Sequence, residues 1–314
     1  MAYEKQSLIK VAKLYYYEDK THQEIADMLG ASRVSITRML QAALAHGIVR
    51  IDVVDDDEKE MRSLEHRLEA QFGLKKVLLT KNDTANTNLR NIALAKKAAR
   101  YINLSVQDGD IVGVGWGAAV TGAVEQMTAI KKKNTVVVPV IGGVNEKGNI
   151  YHVNEIAQMA SEKMDCRHYK LYAPAVVYTR TTREVLMSDD AISSVCGYWS
   201  KLDVLVVGIG ALKDAMPETV TQYLEKNPIG FDELGVSGEV CYNFIDAKGG
   251  KVSTPMDDYL IHISREEIQK CPLTVAIAWG DAKVKAIRSA LKSGMVDALI
   301  THEETASQIL AMDD

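Results

Sequence analysis

The chain has 314 residues, of which 47% are hydrophobic and 25% are charged, and these values are ordinary for a globular protein of about two domains. Its net charge is −5, and it contains neither a run of about 18 apolar residues nor an N-terminal stretch with the apolar core of a signal peptide. These features argue against a membrane or secreted protein, and we expect a cytoplasmic protein with no membrane partner.

The first part of the chain predicts three helices. An amphipathic helix over residues 4–17 is followed by two short helices within residues 21–47, and these two are joined at Gly30. A glycine at this corner permits the left-handed conformation that ends a helix. Thr21 and Ser32 each precede a helical run and suit the N-cap position. The apolar faces of the two short helices consist of Ile25, Ala26, Leu29, Ile36, Met39 and Leu40.

Two helices with this spacing indicate a helix-turn-helix, whose second helix enters the major groove of double-stranded operator DNA. The alternative is an ordinary helical hairpin in a protein core. Residues 1–50 hold seven Lys/Arg and five Asp/Glu, a charge of +2, whereas the remainder is at −7. Because the positive charge is modest, we expect tight binding to need more than one copy of the domain. The predicted DNA-binding residues, which project from the packed face or cap the helix, are Ser32, Arg33, Val34, Ser35, Thr37 and Arg38.

A change in composition predicts the domain boundary. Residues 48–54 form a β-like run suited to the strand or wing that follows many helix-turn-helix units, and residues 55–58 form an acidic run typical of a solvated linker. We therefore predict a DNA-binding domain over residues 1–54 and an effector and oligomerisation domain over residues 55–314. A helix over residues 58–72 could pack on the second domain or pair with another subunit.

From residue 75 onward, short apolar strands alternate with amphipathic helices, which predicts an α/β fold with a mostly parallel sheet covered on both faces. The predicted strands are 77–79, 110–113, 135–141, 169–172, 203–207, 273–278 and 297–300. The predicted helices are 87–104, 118–130, 153–164, 282–292 and a last one from residue 303.

Glycine-rich loops follow several of these strands, at residues 113–117, 142–143, 208–210 and 279–280. Ligands of parallel sheets bind beyond the carboxyl ends of the strands, so these loops favour a small-molecule pocket, although any single loop could be a plain turn. Backbone N–H groups of the first loop could hold an anion such as a phosphate. That loop also fits a dinucleotide-binding pattern, but no acidic residue ends the next strand, so we predict no nicotinamide or other cofactor.

Polar candidates for the pocket are Tyr178, Thr179, Glu239 and Lys283. Lys283 begins a helix just after Gly280 and could meet a phosphate or carboxylate, and Glu239 could accept hydrogen bonds from sugar hydroxyls. Each could equally be an ordinary exposed side chain. The four cysteines and seven histidines are scattered, which predicts reduced thiols and no metal site.

The order of these segments resembles the SorC family of bacterial, sugar-responsive transcriptional regulators over nearly the entire chain. The resemblance is carried by THQEIADMLGASRVSITRMLQAALAHGIVRI, DGDIVGVGWGAAV, VVVPVIGG, DVLVVGIGA, GEVCYNFIDAKGG and VAIAWGDAKVKAIRSALKSGMVDALITHEETA. It implies a winged helix-turn-helix domain joined to an effector domain similar to sugar-phosphate isomerases and deaminases. It also implies a homotetramer (a dimer of dimers) whose binding to operators of sugar-catabolic operons is gated by a sugar, polyol or phosphosugar effector.

The resemblance places effector contacts at Gly115, Trp116, Gly117, Ala118, Ala119, Gly142, Gly143, Glu239 and Lys283. Relatives that hold a phosphate often carry threonines where this chain has Ala118 and Ala119, and they have a glycine where it has Trp279. An indole there could fill part of the pocket or stack on a ligand. These departures leave an unphosphorylated sugar or polyol open beside a phosphosugar, and we include Trp279 and Tyr178 among the predicted effector-binding residues.

The rival hypothesis is a sugar-phosphate isomerase or deaminase. Catalysis would require a base with a tuned pKa close to the bound sugar, and Glu239 is the only candidate. Because the sequence offers no evident acid–base pair, we predict a regulator without enzymatic activity.

Overall fold

The computed structural model describes residues 5–45, 48–49, 56–81, 86–144, 152–211 and 233–312. The chain divides into two compact units, Met1–Lys59 and Glu60–Asp314, a division that lies five residues beyond the boundary expected from the acidic run. Among the residues described, no helix is both long and apolar enough to cross a membrane.

The described part of the first unit is a bundle of α1 (Lys5–Tyr16), α2 (His22–Leu29) and α3 (Arg33–Ala45). All three helices contribute to one core, and Ile25 and Ile36 are fully buried at its centre. The turn between α2 and α3 therefore holds two apolar faces against each other, as the spacing predicted. The predicted wing falls mostly outside the described residues, which include only positions 48 and 49 of it.

Local capping explains where α2 begins and ends. Thr21 is its N-cap: the Glu24 N–H donates to the Thr21 hydroxyl (3.3 Å), and the Glu24 carboxylate accepts from the Thr21 N–H (2.8 Å). This reciprocal pair satisfies donors that the first turn of a helix leaves open. Gly30 ends the helix at a φ of 62°, in the left-handed region that glycine adopts without strain.

The second unit is built on a seven-stranded sheet in which every pairing is parallel. Its spatial order is β1-β9-β8-β5-β2-β3-β4, and a separate antiparallel hairpin is formed by β6 and β7. The strands are β1 (Lys76–Thr80), β2 (Ile111–Val114), β3 (Val136–Pro139), β4 (Arg167–His168), β5 (Val204–Val207), β6 (Gly238–Val240), β7 (Asn243–Ile245), β8 (Leu273–Ile277) and β9 (Ala298–His302).

Helices cover both faces of this sheet and bury a separate apolar cluster on each face. The strands therefore read as continuous apolar runs rather than as alternating ones, as expected for a parallel sheet. The described helices are α4 (Asp56–Phe72), α5 (Thr87–Ser105), α6 (Ala118–Glu125), α7 (Val153–Met164), α8 (Arg180–Ser188), α9 (Asp190–Cys196), α10 (Arg265–Lys270), α11 (Val284–Lys292) and α12 (Glu303–Ala311).

The apolar stripe of α4 packs on its own sheet domain, a choice that the sequence left open. Leu68 is fully buried in the larger apolar cluster, and Met61, Leu64 and Phe72 pack against that cluster. The apolar residues of α4 are therefore packed against residues of the same chain.

Two predicted elements were wrong in their extent. The strand expected at 169–172 lies two residues earlier, as β4. Residues 171–177 do not continue it, because they pair only through isolated bridges and alternate between buried and more exposed positions. The helix expected over 118–130 ends at Glu125, because the chain after it turns to donate from Ile130 N–H and Lys132 N–H to the end of α7. The β6–β7 hairpin and the short helices α8, α9 and α10 were not predicted.

Candidate functional site

The strand order places a topological switch point between β2 and β5. From β2 the chain proceeds to β3 and β4 on one side, and it then crosses to β5, β8 and β9 on the other. Loops that leave neighbouring strands in opposite directions open a crevice at the carboxyl edge, which is where open parallel sheets bind ligands. Here the two loops are Gly115–Gly117 and Gly208–Gly210, both predicted from their glycines.

The loop after β2 packs closely against β5 and Cys241, and it leads into α6. The Gly115 N–H donates to the Val206 carbonyl (2.8 Å), and a Cβ at Gly115 would lie 3.4 Å from both that oxygen and the Cys241 Sγ. Gly117 is the N-cap of α6, with a φ of 108° and no side chain to cap the helix. The first N–H groups of α6 are thus available to a ligand, and Ala118 beside them is exposed.

Glu239 reaches this edge from the β6–β7 hairpin. Its backbone pairs with Gly210 in the loop after β5, through two N–H···O bonds of 3.0 Å each. The side chain is only 8% exposed, and its Oε2 accepts from the Tyr242 N–H at 2.6 Å. Burial raises the pKa of this carboxyl, while the Tyr242 hydrogen bond and the charge of Lys283 act in the opposite direction.

Lys283 approaches the same loop from the turn before α11. Its Nζ donates to the Ile209 carbonyl (2.9 Å). Burial lowers the pKa of the ammonium, and the charge of Glu239 opposes that shift. Burial thus disfavours the charged form of both the Glu239 carboxyl and the Lys283 ammonium. Together they form a site that can gain hydrogen bonds from ligand hydroxyl groups.

Two indoles flank the carboxyl edge. The Trp116 ring lies 5.9 Å from the Tyr242 ring, and the Trp279 ring meets His302 edge-on at 5.8 Å. Both indoles are half-buried. They provide flat apolar surface beside the polar pair.

Gly142 and Gly143 serve close packing, and both of their N–H groups are already donated within the protein, to Ile261 O (2.9 Å) and Ala173 O (2.8 Å). A Cβ at Gly142 would lie 2.5 Å from the Ala175 nitrogen. Gly142 therefore permits two backbone segments to approach and Gly143 leaves room for the His152 ring, rather than either glycine offering its amide to an effector.

Tyr178 lies four residues after Pro174, whose backbone bridges Gly143. Its side chain is 64% exposed, and it directly precedes the N-cap of α8. Its neighbours Val176 and Val177 pair with Leu260 and Tyr259.

Sequence reasoning missed Tyr242 and His302. Tyr242 acts through its N–H and has a φ of 59°, next to Cys241 at 50°. A left-handed pair without glycine or asparagine leaves no turn signal in the sequence, so this hairpin could not be predicted. His302 begins a His-Glu-Glu segment that no second histidine follows at helical spacing, so the sequence predicts no zinc motif there and indicates no other role for this histidine.

The predicted DNA-binding residues share the outer side of α3. Ser32, Arg33, Val34 and Arg38 are exposed, and Ser35 and Thr37 are half-buried. Ser32 accepts from the Ser35 N–H (3.2 Å), whereas the Thr37 hydroxyl donates to the Arg33 carbonyl (3.1 Å) and lies 3.3 Å from His22 Nδ1. The arginines and Val34 therefore remain the most available for contacts with DNA.

Known proteins resemble the chain over both units. The model of the sugar-binding domain family matches residues 56–311, and that of the crp family of bacterial regulatory proteins matches residues 21–42. The sorbitol operon regulator of Klebsiella pneumoniae is 31% identical, with 96% of this chain and 97% of that protein covered. The chain belongs to the SorC family.

A second regulatory protein and a crystal structure support the same assignment. The erythritol catabolism regulatory protein EryD of Brucella abortus is 28% identical, with 96% of this chain and 95% of that protein covered. The crystal structure of full-length SorC from K. pneumoniae aligns with a TM-score of 0.75 at 28% identity, and it covers 99% of this chain and 100% of that one.

This SorC-family chain is accordingly a DNA-binding transcriptional regulator with a sugar-binding domain. The predicted family and function are confirmed, as is a helix-turn-helix followed by a mostly parallel α/β domain. The named relatives are regulators, which agrees with a role outside catalysis.

Proposed function

We propose that the chain regulates an operon for sugar or polyol catabolism and that its effector binds at the switch point between β2 and β5. The observation that carries this proposal is the buried Glu239 carboxyl, which faces the same loop as Lys283. A carboxyl and an ammonium at one edge can bind neighbouring hydroxyl groups of a polyhydroxylated ligand, the first by accepting and the second by donating. The names of the two relatives, sorbitol and erythritol regulators, fit the same ligand class.

An unphosphorylated sugar or polyol suits these residues best. Burial already disfavours a charged Glu239, and a phosphate dianion nearby would oppose its ionisation further. The first turn of α6 begins with Ala118 and Ala119, which offer no hydroxyl to a phosphate. The phosphosugar alternative is supported by Lys283 and by the N–H groups at the start of α6, which no described side chain caps and which would suit an anionic end group.

Regulation would follow from linkage between the effector and DNA. An effector that favours one arrangement of subunits changes the spacing of paired α3 helices against operator half-sites. We infer a homotetramer, a dimer of dimers, that acts in the cytoplasm with residues 1–54 on DNA and residues 55–314 on the effector. Glu239 then acts as a binding group rather than as a catalytic base, since the Tyr242 N–H already occupies one of its oxygens.

A thermal-shift screen of the full chain tests the effector class. Sorbitol, erythritol and other sugars and polyols are each compared with their phosphates. A ligand at 100 times its Kd is expected to stabilise the fold by about 2.7 kcal/mol. Glu239→Gln and Lys283→Gln are expected to abolish the shift, and Lys285→Gln, an exposed lysine on α11, to retain it.

The same ligand is then added to a gel-shift titration with DNA upstream of the protein's own operon. A change in the midpoint of DNA binding supports gating. The proposal fails if no sugar, polyol or phosphate shifts the melting temperature, or if the ligand that does so leaves DNA binding unchanged. Turnover of a phosphosugar by the full chain would instead support the enzyme hypothesis.

A further inference from the structure

A second cavity, of about 160 Å³, lies beside β7 and is distinct from the carboxyl-edge site. Its lining contains one histidine, His262, and the charged side chains of Arg183, Lys251, Asp257, Arg265 and Glu266. Arg265 and Lys283 mark opposite ends of α11. Arg265 donates to the carbonyl of Ser293, just after the last residue of the helix, whereas Lys283 lies just before its first residue. Because a nine-residue helix is about 13 Å long, the Ser293 carbonyl lies about 13 Å from the Lys283 end of α11.

Three cations line this cavity without an ion-pair partner among the residues that the structure describes. Among the described residues, no carboxylate oxygen lies within 4.0 Å of Arg183, Lys251 or Arg265. Asp257 is engaged elsewhere, because its Oδ1 accepts from the Thr254 hydroxyl at 2.9 Å in a capping box. The lining also includes the carboxylates of Asp257 and Glu266, so three cations and two anions leave the described cavity with a net charge of +1.

Arg265 is held in place by two backbone carbonyls. Its Nη2 donates to the carbonyls of Gly249 and Ser293, each at 2.8 Å, while its Nη1 is buried and has no hydrogen-bond partner in the part of the chain that the structure describes. Because Nη1 has no exposed surface, it adds positive charge to the wall of the cavity rather than a donor that a ligand in the cavity could reach. Arg183 is fixed in a similar way, since its Nε donates to the Leu260 carbonyl at 2.7 Å.

His262 reports the same positive field from inside the cavity. Burial lowers the pKa of the imidazole to about 4, and the charges of Arg183 and Lys251 act in the same direction. Hydrogen bonds with the backbone of Cys241 and Ile263 oppose this shift. The ring is neutral at pH 7 and can still serve as a hydrogen-bonding group for a ligand.

We propose that this cavity is a second ligand site, which binds a small oxyanion, as free phosphate or as a carboxylate, between Arg183, Lys251 and Arg265. Guanidinium groups match the geometry of such anions and bind them through charge-assisted hydrogen bonds. The site adjoins the effector edge through Tyr242, which lines the cavity and whose N–H is held by Glu239. It goes beyond the proposed function, because it does not require a sugar.

Isothermal titration calorimetry on the full chain tests this site with inorganic phosphate and, separately, with succinate, at constant ionic strength. We expect saturable binding of at least one probe. Arg183→Gln and Lys251→Gln should each weaken it about tenfold through loss of one charge-assisted bond. Lys248→Gln, a neighbouring exposed lysine outside the cavity, should leave the affinity unchanged. Which probe binds identifies the source of the oxyanion.

A further variant separates this site from the effector edge. Lys283→Gln should retain the binding of the anion, even if it abolishes the response to sugars. The proposal is overturned if neither probe binds saturably, if Lys248→Gln weakens binding as much as Lys251→Gln, or if Lys283→Gln alone removes it. Lys251 is exposed, so its variant should fold normally, and an unchanged melting temperature verifies this.

Discussion

The Nδ1 of His302 lies 2.7 Å from the hydroxyl oxygen of Thr80, and this contact joins the carboxyl ends of the neighbouring strands β9 and β1. Both side chains are buried, at 3% and 8% exposure. The other ring nitrogen lies 3.3 Å from the Asn91 Oδ1, so a neutral ring protonated at Nε2 satisfies all three groups. The Trp279 indole packs edge-on against this ring, so its position at the carboxyl edge of the sheet depends on the hydrogen bond between His302 and Thr80.

Thr80→Val should lower the free energy of unfolding by about 1–3 kcal/mol, because it keeps the side-chain shape but leaves the buried His302 Nδ1 without a donor. Thr80→Ser retains the hydroxyl and is the matched control. Chemical denaturation of both variants measures the difference. Equal stability of the valine and wild-type proteins would show that the contact contributes nothing.

Two carboxylates of α4 protect the exposed side of β1, an edge strand of the sheet. The Glu69 Oε1 accepts from the Val77 N–H (2.8 Å), and the Glu65 Oε1 accepts from the Leu79 N–H (2.9 Å). Burial acts to raise the pKa of Glu69, but hydrogen bonds from Val77 and Lys76 outweigh it and lower the pKa overall. The strand N–H groups that would otherwise be open to another chain are thereby occupied.

Glu65→Ala and Glu69→Ala should each destabilise the fold by about 1–3 kcal/mol, and the double variant should self-associate because the edge of β1 becomes available. Glu60→Ala on the exposed side of the same helix is the control and should behave as wild type. Denaturation and analytical ultracentrifugation measure the two effects. A stable double variant with unchanged association would contradict this role of α4.

Gly142→Ala should destabilise the fold by about 1–3 kcal/mol, because the new methyl group would overlap the backbone of Pro174 and Ala175. Gly122→Ala within α6 is the comparison, since its nearest neighbour would be the Ala95 Cβ at 3.7 Å. That change should be neutral or stabilising by up to about 1 kcal/mol, through helix propensity. Thermal unfolding of both variants measures the contrast, and a similar effect at both positions would rule out the packing role of Gly142.

The stability of the fold should fall in mild acid through His262. An unfolded histidine binds a proton near pH 6.5, whereas folded His262 does so only near pH 4. Between these values the unfolded chain holds more protons, so the free energy of unfolding decreases as the pH falls, by about 1 kcal/mol between pH 6 and pH 5 for this group. The charged groups that line its cavity are Arg183, Lys251, Asp257, Arg265 and Glu266.

Urea denaturation at pH 7, 6 and 5 measures this dependence, and His262→Gln should reduce the slope. Burial also lowers the pKa of His302, whose contribution has the same sign, and raises that of Glu239, whose contribution has the opposite sign. Both groups remain in the variant, so the difference between the two proteins isolates His262. Parallel curves would refute the assignment.

Arg38→Ala should weaken operator binding by about 1–3 kcal/mol and leave stability within about 1 kcal/mol, because the side chain is exposed on α3. Lys10→Ala, which removes one charge from an exposed position on α1, is the control and should have the smaller effect. Gel-shift titrations at two salt concentrations measure both variants. A large loss of melting temperature in Arg38→Ala would instead make this arginine structural.

The helix-turn-helix could be predicted because its determinants are local. The Thr21–Glu24 capping pair, the left-handed Gly30 and the apolar faces of α2 and α3 all lie within 27 residues of sequence. The alternation of strands and helices is similarly local, and so are the glycines that mark the loops of the candidate site.

Contacts between distant segments could only be decided by the tertiary structure. Thr80 and His302 are 222 positions apart, and Glu239 meets Gly210 through a hairpin with no turn signal. The packing of α4 also depends on tertiary structure, because its apolar stripe could pack on any apolar surface and only the fold shows that it packs on the sheet domain. The sequence by itself determined the helix-turn-helix, the alternating strands and helices of the parallel sheet and the glycine loops after its strands, because short-range hydrogen bonds and periodic burial specify them. The tertiary structure decided which side chains meet, because strand order and burial place residues together regardless of their separation along the chain.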